Sequence, residues 1–367
     1  MRPTYDADMF NRTFPPPHLY MKRCTELWLQ GDGKIVLQAG SLGFRVEKDT
    51  LAQHSSVFRS ILGNADDPSP AARAAFCGYR EGCHYVVVED TAEDMRELLS
   101  AMFIPDYFER FPPVADFGTI EAILRMSHRY RVAYLQRRAL GHLAPFYPTR
   151  LVDFPSCEEP SGPAFINNGG LHTAVAIAAA DAGATWILPT ALYLAATACT
   201  RDELLDGVEW RSALRVLHER WRRPALTLMH ELGWQYKAYA CLVSLVAPPG
   251  CTQDDSLVCP GARTRHIAQR AWCADPLDAR GFDSRWEALR GLLCESCFWR
   301  THAEYGEYKR KVWDALPGLF GIELGWGKLN LLKTQQLAKL ETARVDEPAD
   351  KLASESEDVS ASETETW

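Results

Sequence analysis

The chain has 367 residues, 47% hydrophobic and 24% charged, and a net charge of -8. That length exceeds what one ordinary core organises, so two or three units are expected. Between Glu341 and Trp367 nine acidic residues stand against two basic ones, so the rest of the chain is near neutral and lacks the clustered basic surface that charge-driven nucleic acid binding requires.

Residues 1–24 are rich in proline and polar side chains, with "FPPPH" in the middle, and read as an extended arm. In "ELWLQGDGKIVLQAG", Asp32-Gly33 lies between two apolar runs, the short-range signal of a hairpin. "LGFRV" reads as a third strand, with Phe44 and Val46 alternating with polar positions. The period then changes: Leu51, Phe58, Ile61 and Leu62 recur at helical spacing. Ser55 stands where a second short helix would begin, and its hydroxyl suits a helix cap. A nucleophilic serine would need the glycines of a strand–turn–helix elbow, which the segment lacks.

"GNADDPSPAARAAFCGYREGC" has the composition of a loop, and "HYVVVED" that of a short strand. "TAEDMRELLSAMF" opens with Thr91 and Asp94 at capping spacing and carries an apolar stripe from Met95 to Phe103. Pro105 ends it. "FGTIEAILRMSHRYR" and "VAYLQRRALGHLAPF" read as two more helices, joined at Val132. The class is α+β, with few strands early and helices dominating later.

This order of elements resembles a BTB/POZ domain, of the kind found in fungal (basidiomycete-like) single-BTB proteins. The resemblance covers roughly residues 25–146 and is carried by "LWLQGDGKIVLQAGSLGFRV", "LAQHSSVF", "VVVEDTAEDMRELLSAMF" and "LRMSHRYRVAYLQRRALGHL". Glu47-Lys48 stands where the family has a histidine–lysine pair, and "AMFIPD" where it has an aromatic-rich "YLYT". The resemblance implies a small sheet capped by a helical cluster over 25–150. It also implies a helical hairpin after the third strand that forms much of a dimer surface, here Leu51, Val57, Phe58, Ile61 and Leu62. Family partners include other BTB chains, cullin-type ubiquitin ligase scaffolds and transcription factors.

The pattern over 163–247 is helical. "HTAVAIAAADAGATWILPTALYLAATAC", from His172, is the most apolar stretch of the chain. Asp181 and Pro189 interrupt it, and neither half reaches the ~20 residues of a membrane span. Two buried alanine-rich helices are expected. Thr200 and Glu203 have capping-box spacing. "WRSALRVLHERWRR" and "PALTLMHELGWQYKAYACLVSL" read as further helices. Trp210, Trp221 and Trp234 are expected to line the core, and His218 and His230 to sit on separate helices.

Residues 248–325 form a cysteine-containing module ending in a helix from about Trp299 to Leu316. Cys294 and Cys297 have the C-x2-C spacing that lets two thiolates reach one tetrahedral Zn²⁺. Cys251 and Cys259 form a wider C-x7-C pair. Together they make a four-ligand set for one structural zinc, with Cys273 and His302 as spare donors. Fungal BTB proteins of this kind have a similar tail, with a cysteine pair, a C-x2-C and a helix ending in "LPxLFGL", here "LPGLFGI". The alternative reading is four ordinary reduced thiols, with Cys294 packed beside Leu292 and Leu293. Residues 340–367 are acidic and poor in apolar side chains, the composition of a disordered tail. Ser354, Ser360 and Ser362 each have Glu three residues on.

Eleven cysteines, an odd number, follow a start, "MRPTYDADMF", that has acids where a signal peptide has an apolar core. A reducing compartment, cytoplasmic or nuclear, with free or metal-bound thiols is expected. No phosphate-binding glycine loop, HExxH or nucleophile elbow is present. The expected function is therefore non-enzymatic protein–protein interaction, with a BTB-mediated homodimer and without direct nucleic acid or membrane contact. A substrate adaptor of a cullin-type ubiquitin ligase is one alternative. An enzyme with its site in the helical domain is another.

Overall fold

Helix and strand segregate where the sequence period changes. The computed structural model describes residues 21–63, 78–80, 82–111, 115–154, 165, 167–228, 250–253, 258–268, 277 and 289–342. The arm over 1–20, the acidic tail beyond 342, His230, Trp234 and Cys273 lie outside the described residues, as does the helix read beyond 228. The fold is α+β, with a small mixed sheet and extensive helix. Contacts divide the chain into two units. The first comprises Met1–Glu109 with Met126–Leu135, and the second Arg110–Arg125 with Gln136–Trp367.

The first unit holds a five-stranded sheet: β1 (Lys22–Trp28), β2 (Lys34–Ala39), β3 (Leu42–Glu47), β4 (Gly78–Arg80) and β5 (Cys83–Val88). The order across it is β1-β3-β2-β5-β4. β2 and β3 are antiparallel, with Ala39 opposite Leu42, so the tight turn is Gly40-Ser41. Gly40 has φ 54, a left-handed conformation that glycine takes without steric cost.

This corrects the hairpin expected at Asp32-Gly33. β1 instead pairs parallel with β3, on the far side of β3 from β2. The Asp-Gly pair therefore lies in a connection that crosses past β3. Two-residue turn chemistry competes at Asp32-Gly33 and Gly40-Ser41. The strands that bury Leu37 against Phe44 in register select the second.

β3 runs straight into α1 (Lys48–His54) and α2 (Ser56–Gly63). The chain turns extended at Ser55 (φ -128, ψ 118), which separates the two helices. The Ser55 hydroxyl accepts the Phe58 amide at 3.0 Å, the expected capping role. α3 (Ala92–Phe103) is capped by Thr91, whose hydroxyl accepts the Asp94 amide, and it stops at Ile104 before Pro105. Its buried Met95, Leu98 and Leu99 form the expected apolar stripe.

α4 (Phe117–Arg129) and α5 (Ala133–Leu143) follow, and the division between units runs through both. Between them Arg131 takes φ 53 and Val132 is fully buried. In the first unit Tyr130 stacks on Phe58 at 4.6 Å and donates to Asp90 Oδ2 at 2.5 Å. Arg129 pairs with the other Asp90 oxygen at 3.1 Å.

In the second unit the apolar stretch forms α6 (Gly169–Asp181) and α7 (Leu188–Ala198), packed on each other and almost wholly buried. No helix among the described residues is long and apolar enough to cross a membrane. α8 (Arg201–Asp206) opens with a full Thr200–Glu203 capping box.

The helix expected from Trp210 begins late. Residues 208–215 form a hairpin, β6 (Val208–Trp210) with β7 (Ala213–Arg215), turning at Arg211 (φ 48) and Ser212 (φ 57). The hairpin places Arg215 within 3.8 Å of the buried Glu121 carboxylate, which Arg125 also reaches at 2.9 Å. Helix resumes at 219, and His218 Nδ1 accepts the Arg220 amide at its start. Trp221 is buried, as expected, and Trp210 is half-buried.

α9 (Val258–Ala268), α10 (Glu295–Leu319) and α11 (Trp326–Thr342) are the remaining α-helices among the described residues. α10 starts one turn before the predicted Trp299. α11 is held through Gln336, which accepts from the Trp186 indole at 2.8 Å and donates to Gly183 O at 3.0 Å.

Candidate metal centre

The four cysteines read as a ligand set come together in space. The sulfurs of Cys251, Cys259, Cys294 and Cys297 all lie within 4.8 Å of one another. Among the described residues no other group of three or more His, Cys, Asp or Glu donors meets the same condition. The Cys251 and Cys294 sulfurs are 4.0 Å apart. Four thiolates around one Zn²⁺ at ~2.3 Å stand ~3.8 Å from each other. The observed set is therefore slightly wider than a closed tetrahedron.

Local structure explains the convergence. Cys294 is the N-cap of α10 and Cys297 lies in its first turn, so C-x2-C places both thiols at one helix start. Cys259 is the second residue of α9. Three of the four thiols thus sit at helix N-termini, where unpaired amides and the helix dipole favour a thiolate. Cys251 comes from the irregular segment 250–253. Gly250 before it has φ 89, and a Cβ there would meet Ser296 Oγ at 3.5 Å. That backbone favours glycine and turns Cys251 toward the start of α10.

Backbone amides support the sulfurs directly. The Cys294 amide points at Cys259 Sγ at 3.4 Å. The Thr252 amide bonds the Cys294 sulfur, and this is the largest influence holding that thiol down at about 6. Cys297 is pushed well up, first by burial and then by hydrogen bonds to its neighbour thiols, and burial also raises Cys259.

Cys259 and Cys297 have no exposed surface and Cys294 has 7%, while Cys251 is half-buried. None of the four is in a disulfide. The donor set is all sulfur, closed and tetrahedral in number, so it suits a structural zinc with no open position for substrate. His302 is not part of it and packs near the rings of Phe298 and Trp299. Gly250 and Thr252 were not singled out in the sequence. The glycine and the residue following a ligand cysteine were the available signal.

The residues read as an interaction surface divide. Leu51, Phe58 and Leu62 are fully buried within the first unit, while Val57 and Ile61 are half-buried. The division follows from helical spacing. The buried stripe is the one at i, i+4 spacing from Phe58 to Leu62, with Phe58 stacked on Tyr130, and it serves the chain's own core. The positions one residue before each lie at its edge and keep part of their surface in solvent.

The chain matches no family model, no curated protein and no solved structure.

Proposed function

We propose that this chain is a non-enzymatic protein–protein interaction protein. It is built on a BTB/POZ-type unit that self-associates, with a second unit braced by one structural zinc. The observation that carries the reading is the succession in the first unit. A β2–β3 hairpin passes without a loop into the α1–α2 pair, and the chain returns as β5, parallel to β2. That is the order the family resemblance implies, with the helical pair beside the sheet as the family's dimer-forming element. Val57 and Ile61 supply apolar surface on that pair, and exposed apolar surface of this kind marks interfaces when it is contiguous.

Zinc is the metal best suited to the cysteine cluster. Four thiolates, three of them buried, favour soft, tetrahedral ions, and the C-x2-C geometry across a helix start is compatible with Zn–S distances. Cys251, Cys259, Cys294 and Cys297 would hold it, tying the segment after Gly250 and the start of α9 to the start of α10. The role is structural, since the donor set leaves no position for water.

The deciding experiment is light scattering on the full chain across concentration, joined to affinity purification with mass spectrometry. A mass of two chains at tens of micromolar is the expected result. A strictly monomeric mass together with no co-purifying protein would reject the reading. Recovery of a cullin would specify a ubiquitin ligase adaptor.

A further inference from the structure

We propose that Cys251 and Cys294 form a redox-modification site inside the cysteine cluster, which an oxidant of the peroxide class converts to a disulfide, dismantling the metal centre reversibly. The inference rests on the metal-binding reading given above.

Exposure selects the first sulfur to react. Cys251 is the half-buried member of the cluster, and the other three are buried, two of them completely. An oxidant arriving from solvent therefore meets Cys251 first, as reactivity follows exposure as well as thiolate character.

Geometry and the Thr252 tether together favour Cys294 as the partner. The Cys251 and Cys294 sulfurs are 4.0 Å apart, and a disulfide needs about 2.05 Å. Closing that gap requires a movement of about 2 Å by one sulfur, within reach of a side-chain rotation and a small backbone shift. Cys251 can supply it. It lies in the non-helical segment 250–253, whereas Cys259 and Cys297 lie within helices and Cys294 caps one. Thr252, next to Cys251, already bonds the Cys294 sulfur through its amide. The segment that carries the exposed thiol is thus tethered to the resolving one.

The chemistry balances in two steps. The Cys251 thiolate attacks one peroxide oxygen. An S–O bond forms, the O–O bond breaks, and the departing hydroxide takes a proton to become water. The Cys294 thiolate then attacks the Cys251 sulfur. The S–S bond forms, the S–O bond breaks, and a second hydroxide leaves and is protonated. The two sulfurs lose two electrons and the peroxide gains them. Two of four donors are then occupied in the bridge, and Cys259 with Cys297 alone makes an incomplete site. Dithiothreitol reverses the bridge and restores the donor set.

The test uses the full chain, purified with zinc and freed of reductant, then exposed to hydrogen peroxide. A chromogenic indicator follows released zinc, and thiol labelling with mass spectrometry follows each cysteine in time. Labelling is expected to fall first at Cys251 and then at Cys294, with a Cys251–Cys294 linked peptide and the loss of about one zinc per chain. Dithiothreitol with added zinc should restore both. Cys251→Ser should slow peroxide-driven zinc loss by about tenfold or more. Should that variant fail to load zinc, the labelling order in the native chain still decides. A Cys259–Cys297 bridge, oxidation beginning at a buried cysteine, or a cluster unchanged by excess peroxide would each overturn the proposal. A chain purified without zinc would reject the metal reading alone. The peptide map would then still judge this one: the Cys251–Cys294 link supports it, and its absence refutes it.

Discussion

The hydroxyl of Ser55 joins two parts of the first unit that are 75 residues apart in sequence. It accepts the Phe58 amide at 3.0 Å, capping α2, and donates to the carbonyl of Tyr130 at 2.5 Å. Both contacts are buried, so neither has water as a substitute. One hydroxyl satisfies a helix start and the turn after α4 together.

Ser55→Ala removes both bonds and leaves a buried amide and a buried carbonyl short of a partner. The expected loss is about 1–3 kcal/mol of unfolding free energy. Urea unfolding of the full chain followed by circular dichroism measures it. A change under about 0.5 kcal/mol, the range of ordinary surface substitutions, would mean that the Tyr130 contact does not form in solution.

Tyr130 sets an alkaline limit. Burial, then the Asp90 charge, raises its phenol well above the usual range. Below about pH 10 the phenol is neutral in both folded and unfolded chains, and its stabilisation is complete. Above that pH the unfolded chain loses the proton while the folded chain keeps it. Stability then falls by about 1.4 kcal/mol per pH unit for this one group. Tyr130→Phe should remove that share of the slope. Buried Tyr147, raised by the same desolvation, keeps a second share. Unfolding curves between pH 9 and 11 that superimpose for wild type and variant would contradict the assignment.

Val57 and Ile61 separate interaction from folding. Their half-exposed positions let Val57→Asp and Ile61→Asp reach solvent in a monomer, while an apolar interface would have to bury the new charges. The double variant should raise the dissociation constant of self-association by about 100-fold with little change in the unfolding midpoint. Sedimentation across concentration gives the constant. A dimer of unchanged affinity would move the interface to another face.

Metal removal distinguishes the two units. Elemental analysis should find about one zinc per chain. Chelation should raise hydrogen exchange at the starts of α9 and α10 while the β2–β3 amides stay protected, because the ligands lie wholly in the second unit. Cys297→Ser should abolish loading. His302→Ala should leave zinc content unchanged, since His302 lies outside the cluster. Zinc lost with His302 and kept without Cys297 would reverse the ligand assignment.

Local signals in the sequence determined most elements. The Thr91 and Ser55 caps, the Thr200–Glu203 box, the buried alanine-rich pair and the C-x2-C at a helix start depend on residues within a few positions of each other. The capping bonds themselves close within a few residues of each other. Pairing across distance was decided only by the tertiary structure. Asp32-Gly33 and Gly40-Ser41 are both competent turns, and the burial of β2 against β3 chose between them. The segment around Trp210 has helical spacing. The left-handed Arg211-Ser212 turn and the hairpin that brings Arg215 to buried Glu121 overrode it. The apolar positions of α2 could be identified from spacing, but not which of them faces the core. That depends on how the helix is rotated, which the packed core sets: Phe58 and Leu62 face inward, and Val57 and Ile61 keep part of their surface in solvent. The wide C-x7-C pair meets the C-x2-C pair for the same reason, since only the folded chain brings Cys251 within 4.0 Å of Cys294.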